Sequence, residues 1–195
     1  MKRFVSVIML ICGCVAIYLL QNQSPSLPNI GHVEEWPLVE VEGKGADLLD
    51  KPKLIAFFYS NCPDICPTTM LDLKDLQQLL QEKGISQDQY LIVSVTLDPA
   101  YDTKERILQY REALGITNSN WLFLRGSEEE TERFTRPFRF VYEENEDGFL
   151  THSTSMYAVD SEERIRSTHD MAMGNKKVNI EEIAVNLIQL IEETE

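Results

Sequence analysis

Cys62 and Cys66 stand in the stretch FFYSNCPDICPTTM, with three residues between them and a proline after each. A loop that stiff lets two sulfurs converge, so the pair can close as a disulfide or grip one soft metal ion. A purely stabilising bridge is the plainer reading, but closing so short a loop removes little chain entropy. The pair lies between a short apolar run and a helical pattern, the junction at which α/β folds place reactive groups. Pro67 suits the first helical position, which makes Cys66 the expected N-cap. The positive helix end should then lower the Cys66 thiol pKa. A discriminating metal site needs a further ligand, and the histidines are His32, His152 and His169. His152 opens the run HSTSMYAV, and a neutral imidazole there would complete a set of two sulfurs and one nitrogen. Cu(I) accepts three such donors, whereas structural Zn(II) normally takes four.

Two other groups of soft donors compete with this one. His169, Met171 and Met173 lie in HDMAM; a polar loop with methionines packed on the core is the preferred reading there. Cys12 and Cys14 read as small apolar residues of a hydrophobic segment, and His32 as a solvated linker histidine.

The elements that must position the pair follow from periodicity. LIAFFY, residues 54–59, suits a strand buried on both faces. Met70, Leu73, Leu76 and Leu80 recur at helical spacing, with Gly84 as the stop. YLIVSVTL is a second strand; Asp102 and Glu105 are spaced as a capping box before a helix closed by Gly115; WLFL is a third strand. Ser127 and Glu130 cap a short helix before Pro137, residues 138–151 read as an irregular or hairpin insertion with its turn at Asp147-Gly148, and SMYAVD is expected to pair with RIRST. Asn179 and Glu182 cap a last helix with Ile183 and Leu187 on its apolar face. The alternation predicts a three-layer α/β domain, thioredoxin-like in outline, with a mostly parallel central sheet and an antiparallel edge.

The chain has 195 residues, of which 43% are hydrophobic and 26% charged, ordinary values for a globular domain. With 18 basic against 32 acidic residues the formal charge is −14, which argues against nucleic-acid binding. Met1-Lys2-Arg3 precedes the uncharged run FVSVIMLICGCVAIYLL. Residues 1–22 are expected to be an N-terminal membrane anchor with its start in the cytoplasm, or a lipoprotein signal acylated at Cys14. Val15 and the apolar residues after it favour the anchor. Residues 23–32 read as a linker, residues 33–195 as the domain, and a bacterial plasma membrane as the setting.

CPDICPTTM, VSVTLDPAYDT, WLFLRGSEEE and HSTSMYAVD together resemble the Sco/SenC family of membrane-anchored copper proteins of cytochrome c oxidase assembly. The resemblance covers about residues 50–170. It implies a thioredoxin-like fold with a tether and a β-hairpin insertion, and copper ligands at Cys62, Cys66 and His152. It further implies delivery of copper to the binuclear site of oxidase subunit II, or reduction of that subunit's cysteines. Other copper chaperones or thiol reductants would then be partners. Asp64 and Asp98 are expected to form turns and accept hydrogen bonds beside the thiols rather than to ligate. The leading expectation is an extracytoplasmic copper metallochaperone. The rival is a thiol–disulfide oxidoreductase in which Cys62 and Cys66 are catalytic, although such enzymes typically carry Cys-x-x-Cys.

Overall fold

The computed structural model describes residues 26–43, 50–145 and 150–194. Three parallel strands, β3 (Lys53–Phe58), β4 (Leu91–Thr96) and β5 (Trp121–Arg125), form the middle of a seven-stranded sheet of order β1-β9-β8-β3-β4-β5-β2. The remaining four are antiparallel to their neighbours: β1 (Gly31–His32), β2 (Val39–Glu40), β8 (Ser155–Val159) and β9 (Arg164–Asp170). Helices α1 (Ile65–Glu82) and α2 (Lys104–Ala113) connect the parallel strands; α3 (Glu128–Thr135) follows β5, and α4 (Ile180–Glu192) ends the domain.

β3 is buried along its whole length because both faces are covered. Leu54, Ala56 and Phe58 join Leu73 and Leu76 of α1, Ile107 of α2 and Leu187 of α4 in one core. Ile55 and Phe57, on the other face, join Val93, Val95, Tyr157 and Phe134 of α3. The two-residue period of a strand thus divides one apolar run between two cores, giving the expected three layers.

Local signals fix most ends. Gly84 (φ +86°) and Gly115 (φ +63°) supply the left-handed turns after α1 and α2. Both halves of the Ser127–Glu130 capping box form, and Asn179 accepts the Glu182 amide. The cap of α2 differs from expectation: Thr103 accepts the Arg106 amide, one residue later, because the Asp102 side chain turns into the interior. The edge strands β1 and β2 carry too little pattern to be read in advance, and the sheet takes in Gly31 and His32 from the stretch expected as linker. Their pairing with Ile165 and Arg164 is a long-range event.

The insertion is a hairpin of β6 (Tyr142–Glu144) and β7 (Leu150–His152), pairing Tyr142 with His152. The expected turn at Asp147-Gly148 lies outside the described residues, as do residues 1–22 with Cys12 and Cys14. Among the described residues no helix is long and apolar enough to cross a membrane.

Candidate metal and thiol centre

β3 delivers the chain to a tight turn in which the Cys62 amide donates to the Tyr59 carbonyl at 3.1 Å. α1 then starts at Ile65 with Asp64 as N-cap, so Cys66 is the second residue of the helix and Pro67 the third. The expectation of Cys66 as N-cap and Pro67 at the first position is therefore corrected by two residues. Pro67 is tolerated there because the first turn's amides have no helical acceptor in any case.

This shift decides which sulfur becomes anionic. Cys66 points into the core, fully buried, while Cys62 is partly exposed; both are free thiols. The Cys66 amide, one of the helix's unpaired donors, points at Cys62 Sγ at 3.4 Å. The Cys66 thiol donates to Cys62, and this holds Cys62 far below the ordinary thiol range. Burial opposes that shift, while His152 and the Asp64 and Cys66 amides reinforce it. Cys66 is pushed upward by the same bond to Cys62, then by burial and by the Cys62 and Asp102 charges. The lowered thiol is thus Cys62, not Cys66 as the helix-end argument predicts. The helix end does act, but its amide serves the sulfur outside the helix.

His152 reaches the pair from the hairpin, 86 residues along the chain from Cys66, with Nε2 at 4.0 Å from Cys66 Sγ. Its Nδ1 lies 2.7 Å from the Ser153 carbonyl, which can only accept, so the proton sits on Nδ1 and Nε2 is free to face the sulfurs. Burial pulls the His152 pKa down, yet the Cys62 sulfur and the Ser153 carbonyl carry it above the ordinary value. The Phe140 ring stacks at 6.0 Å and Tyr59 meets the imidazole edge-on at 5.9 Å, fixing its plane. Sγ of Cys62, Sγ of Cys66 and a His152 ring nitrogen all lie within 4.8 Å of one another. Cys62 and His152 open on a surface cavity of about 300 Å³ also walled by Tyr59, Pro63, Ile65 and Leu150, while Cys66 is fully buried. Two soft sulfurs and one imidazole at this spacing fit a three-coordinate soft cation, and equally a dithiol ready for exchange.

The other singled-out residues supply no further donor to this group among the described residues. Asp64 is exposed on the cavity wall, and its side chain makes no cap bond. Asp98 accepts the Tyr101 amide at 3.0 Å in the loop after β4. His32 is exposed on the edge strand. In HDMAM, His169 is buried with Nε2 at 2.8 Å from the Ser167 hydroxyl, Met171 packs in the core and Met173 is exposed, so the three donors diverge. The residue missed by sequence reasoning is Asp102, a fully buried carboxylate whose pKa burial raises against the bonds from Ser60 and Thr96. Its spacing before Glu105 marks it as a helix cap, so no local signal discloses the inward turn.

An α/β domain with a thioredoxin-like sheet and a thiol–thiol–imidazole centre at the end of its first parallel strand is a recognisable class. Residues 29–188 match the SCO1/SenC family model, and the chain belongs to that family. It is 26% identical over 179 residues to the SCO2-like protein of Rickettsia felis, covering 82% of this chain and 84% of that one. With the SCO1 protein homolog of Bacillus subtilis it shares 28% over 140 residues, 68% and 70% of the two chains. Among solved structures it resembles the SCO1/SenC family lipoprotein of Bacillus anthracis (TM-score 0.73, 24% identity, 84% of this chain and 96% of that one). It also resembles Arabidopsis thaliana ScoI with copper bound (TM-score 0.68, 24% identity, 84% and 99%). Yeast Sco1 with copper bound gives a TM-score of 0.59 at 25% identity, covering 84% and 90%.

Proposed function

We propose that this chain is a membrane-tethered, extracytoplasmic metallochaperone that binds copper through Cys62, Cys66 and His152 and serves assembly of the binuclear copper site of cytochrome c oxidase. The observation that carries the reading is the convergence of the three donor atoms within 4.8 Å, with Nε2 of His152 left free by the Ser153 contact. Copper is cargo in this reading. Oxidation of the pair to a disulfide would remove both thiolate donors, so redox state gates retention. The copper-bound relatives from Arabidopsis and yeast support the metal. A solved relative described as a member of the Sco family of cytochrome c oxidase assembly proteins supports the destination. Residues 1–22 would hold the domain at the outer face of a bacterial plasma membrane, by an anchor or through a lipid on Cys14.

The anaerobically reduced protein should bind one Cu(I) against a competing chelator, with two sulfur neighbours and one nitrogen neighbour in X-ray absorption. Cys62→Ala and Cys66→Ala should each lose at least about a hundredfold in affinity, because each removes one of the two soft thiolate donors that a soft ion prefers. His152→Ala should weaken binding by about tenfold while leaving the dithiol able to oxidise. Unchanged affinity in either cysteine variant defeats the proposal.

One observation favours the second reading, a thiol–disulfide oxidoreductase: the pair is already divided into an accessible thiolate and a buried thiol, the arrangement of an attacking and a resolving sulfur. His152→Ala separates the two, since an oxidoreductase keeps its reductase turnover in that variant whereas a chaperone loses copper transfer.

A further inference from the structure

The carboxylate of Asp102, in the loop between β4 and α2, is fully buried and has no ion-pair partner among the described residues. Burying a charge in that way is costly unless hydrogen bonds replace its water. Here they all come from two places. The Ser60 amide donates at 3.1 Å and the Ser60 hydroxyl also bonds to it, while the Thr96 hydroxyl donates at 2.5 Å. Thr96 is the last residue of β4, and Ser60 lies in the turn that carries Cys62.

The loop that presents Asp102 is itself fixed at both ends. The Asp102 amide donates to the Asp98 carbonyl at 2.7 Å, the Asp98 amide to the Thr96 hydroxyl at 3.0 Å, and the Leu97 amide to the Phe58 carbonyl at 2.7 Å. One carboxylate therefore ties the turn before Cys62 to the rigid ends of β3 and β4. Cys66 is held separately, in the first turn of α1 with its side chain in the core.

We propose that Asp102 is a positioning residue for the thiol pair: by gripping Ser60 it fixes the approach of Cys62 to Cys66 and so sets how readily the two sulfurs act together. This rests on the pair being the working centre, which both readings above share. Loosening the Ser60 turn lowers the effective concentration of one sulfur at the other. Asparagine can keep the grip without the charge, since its oxygen accepts the Ser60 amide and its amide donates to a rotated hydroxyl.

The test uses the equilibrium with glutathione, which needs no copper and is independent of whether the metal reading stands. The two thiols react with one glutathione disulfide to give the Cys62–Cys66 disulfide and two reduced glutathiones. The electron pair reduces the glutathione sulfurs, which take up the Cys66 proton and one proton from solvent. Asp102→Ala should lower the closure constant by about tenfold, Ser60→Ala by about threefold, and Asp102→Asn should stay within about twofold of the unaltered protein. Circular dichroism of each variant checks that the fold is intact. An unaltered constant in Asp102→Ala, or Asp102→Asn falling as far as Asp102→Ala, overturns the proposal. If Asp102→Ala does not fold, Ser60→Ala decides, and an unaltered constant in it overturns the proposal too. Absence of Cu(I) binding by the unaltered protein would sink the chaperone reading and leave this equilibrium as informative as before.

Discussion

β3 starts and ends beside buried ionisable groups, and the two ends treat them in opposite ways. At its start, fully buried Lys53 meets Glu163 at 2.5 Å, with the Trp36 indole donating to the same carboxylate at 2.8 Å and the ammonium 5.3 Å from the Trp36 ring. Burial lowers the Lys53 pKa and raises that of Glu163, each against the pull of the other, so desolvation cancels much of what the pair gains. Beside it Arg166 holds Asp160 at 2.7 Å and Glu193 at 2.9 Å. These groups use their bonding capacity on one another. At the far end of the strand the Cys62 sulfur and Nε2 of His152 instead face a cavity. A closed set of buried charges holds the chain together, whereas a set with donors turned outward has something left to give to a ligand.

The largest expected effect breaks the closed end. Glu163→Ala leaves Lys53 buried without its carboxylate and should cost about 3–5 kcal/mol in urea unfolding. Glu163→Ala combined with Lys53→Met should recover most of that loss. Neither change should alter the Cu(I) affinity of folded protein, and an affinity change at full folding would show that the two ends are not independent.

The next concerns the open end alone. Alkylation by iodoacetamide at pH 7 should modify Cys62 about a hundredfold faster than Cys66, read by peptide mass mapping, because only the thiolate attacks. Since the Cys62 pKa is lowered, its rate should stay nearly flat as pH falls from 8 to 6, whereas an ordinary thiol would slow about a hundredfold over that range. A steep decline would remove the assignment of the anion to Cys62.

The smallest effect sharpens the contrast between the two buried imidazoles. His169 bonds to Ser167 at 2.8 Å and lies 3.5 Å from the Asn186 amide nitrogen; burial lowers its pKa, against the opposing pull of Glu182 and Asp170. The unfolded chain therefore takes up the proton first. The stability contributed by neutral His169 is whole above about pH 6.5 and declines as pH falls through that value and below it. His169→Gln should flatten this part of the curve of unfolding free energy against pH without changing metal binding. An unaltered slope would show that His169 is not the group responsible.

Much of this architecture was legible from local pattern. Residues 54–59 suit a doubly buried strand, and the spacing of Leu73, Leu76 and Leu80 gave α1 its inner face. Ser127 and Asn179 announced their helices because a cap and its amide lie within one turn of each other. Asp102 defeated the same reasoning, because its spacing before Glu105 reads as a cap. Lys53 carries no local signal of burial, since its partner Glu163 lies 110 residues further along.

The order of residues by itself placed two sulfurs within reach of each other at a strand-to-helix junction, because only three residues, in a loop stiffened by prolines, separate them. Tertiary structure decided which sulfur carries the charge, since that depends on the amide that faces it and the depth at which it is buried. It also decided that the hairpin brings His152, rather than His32 or His169, to the pair. Spacing governs neighbours along the chain; depth, field and convergence belong to the folded molecule.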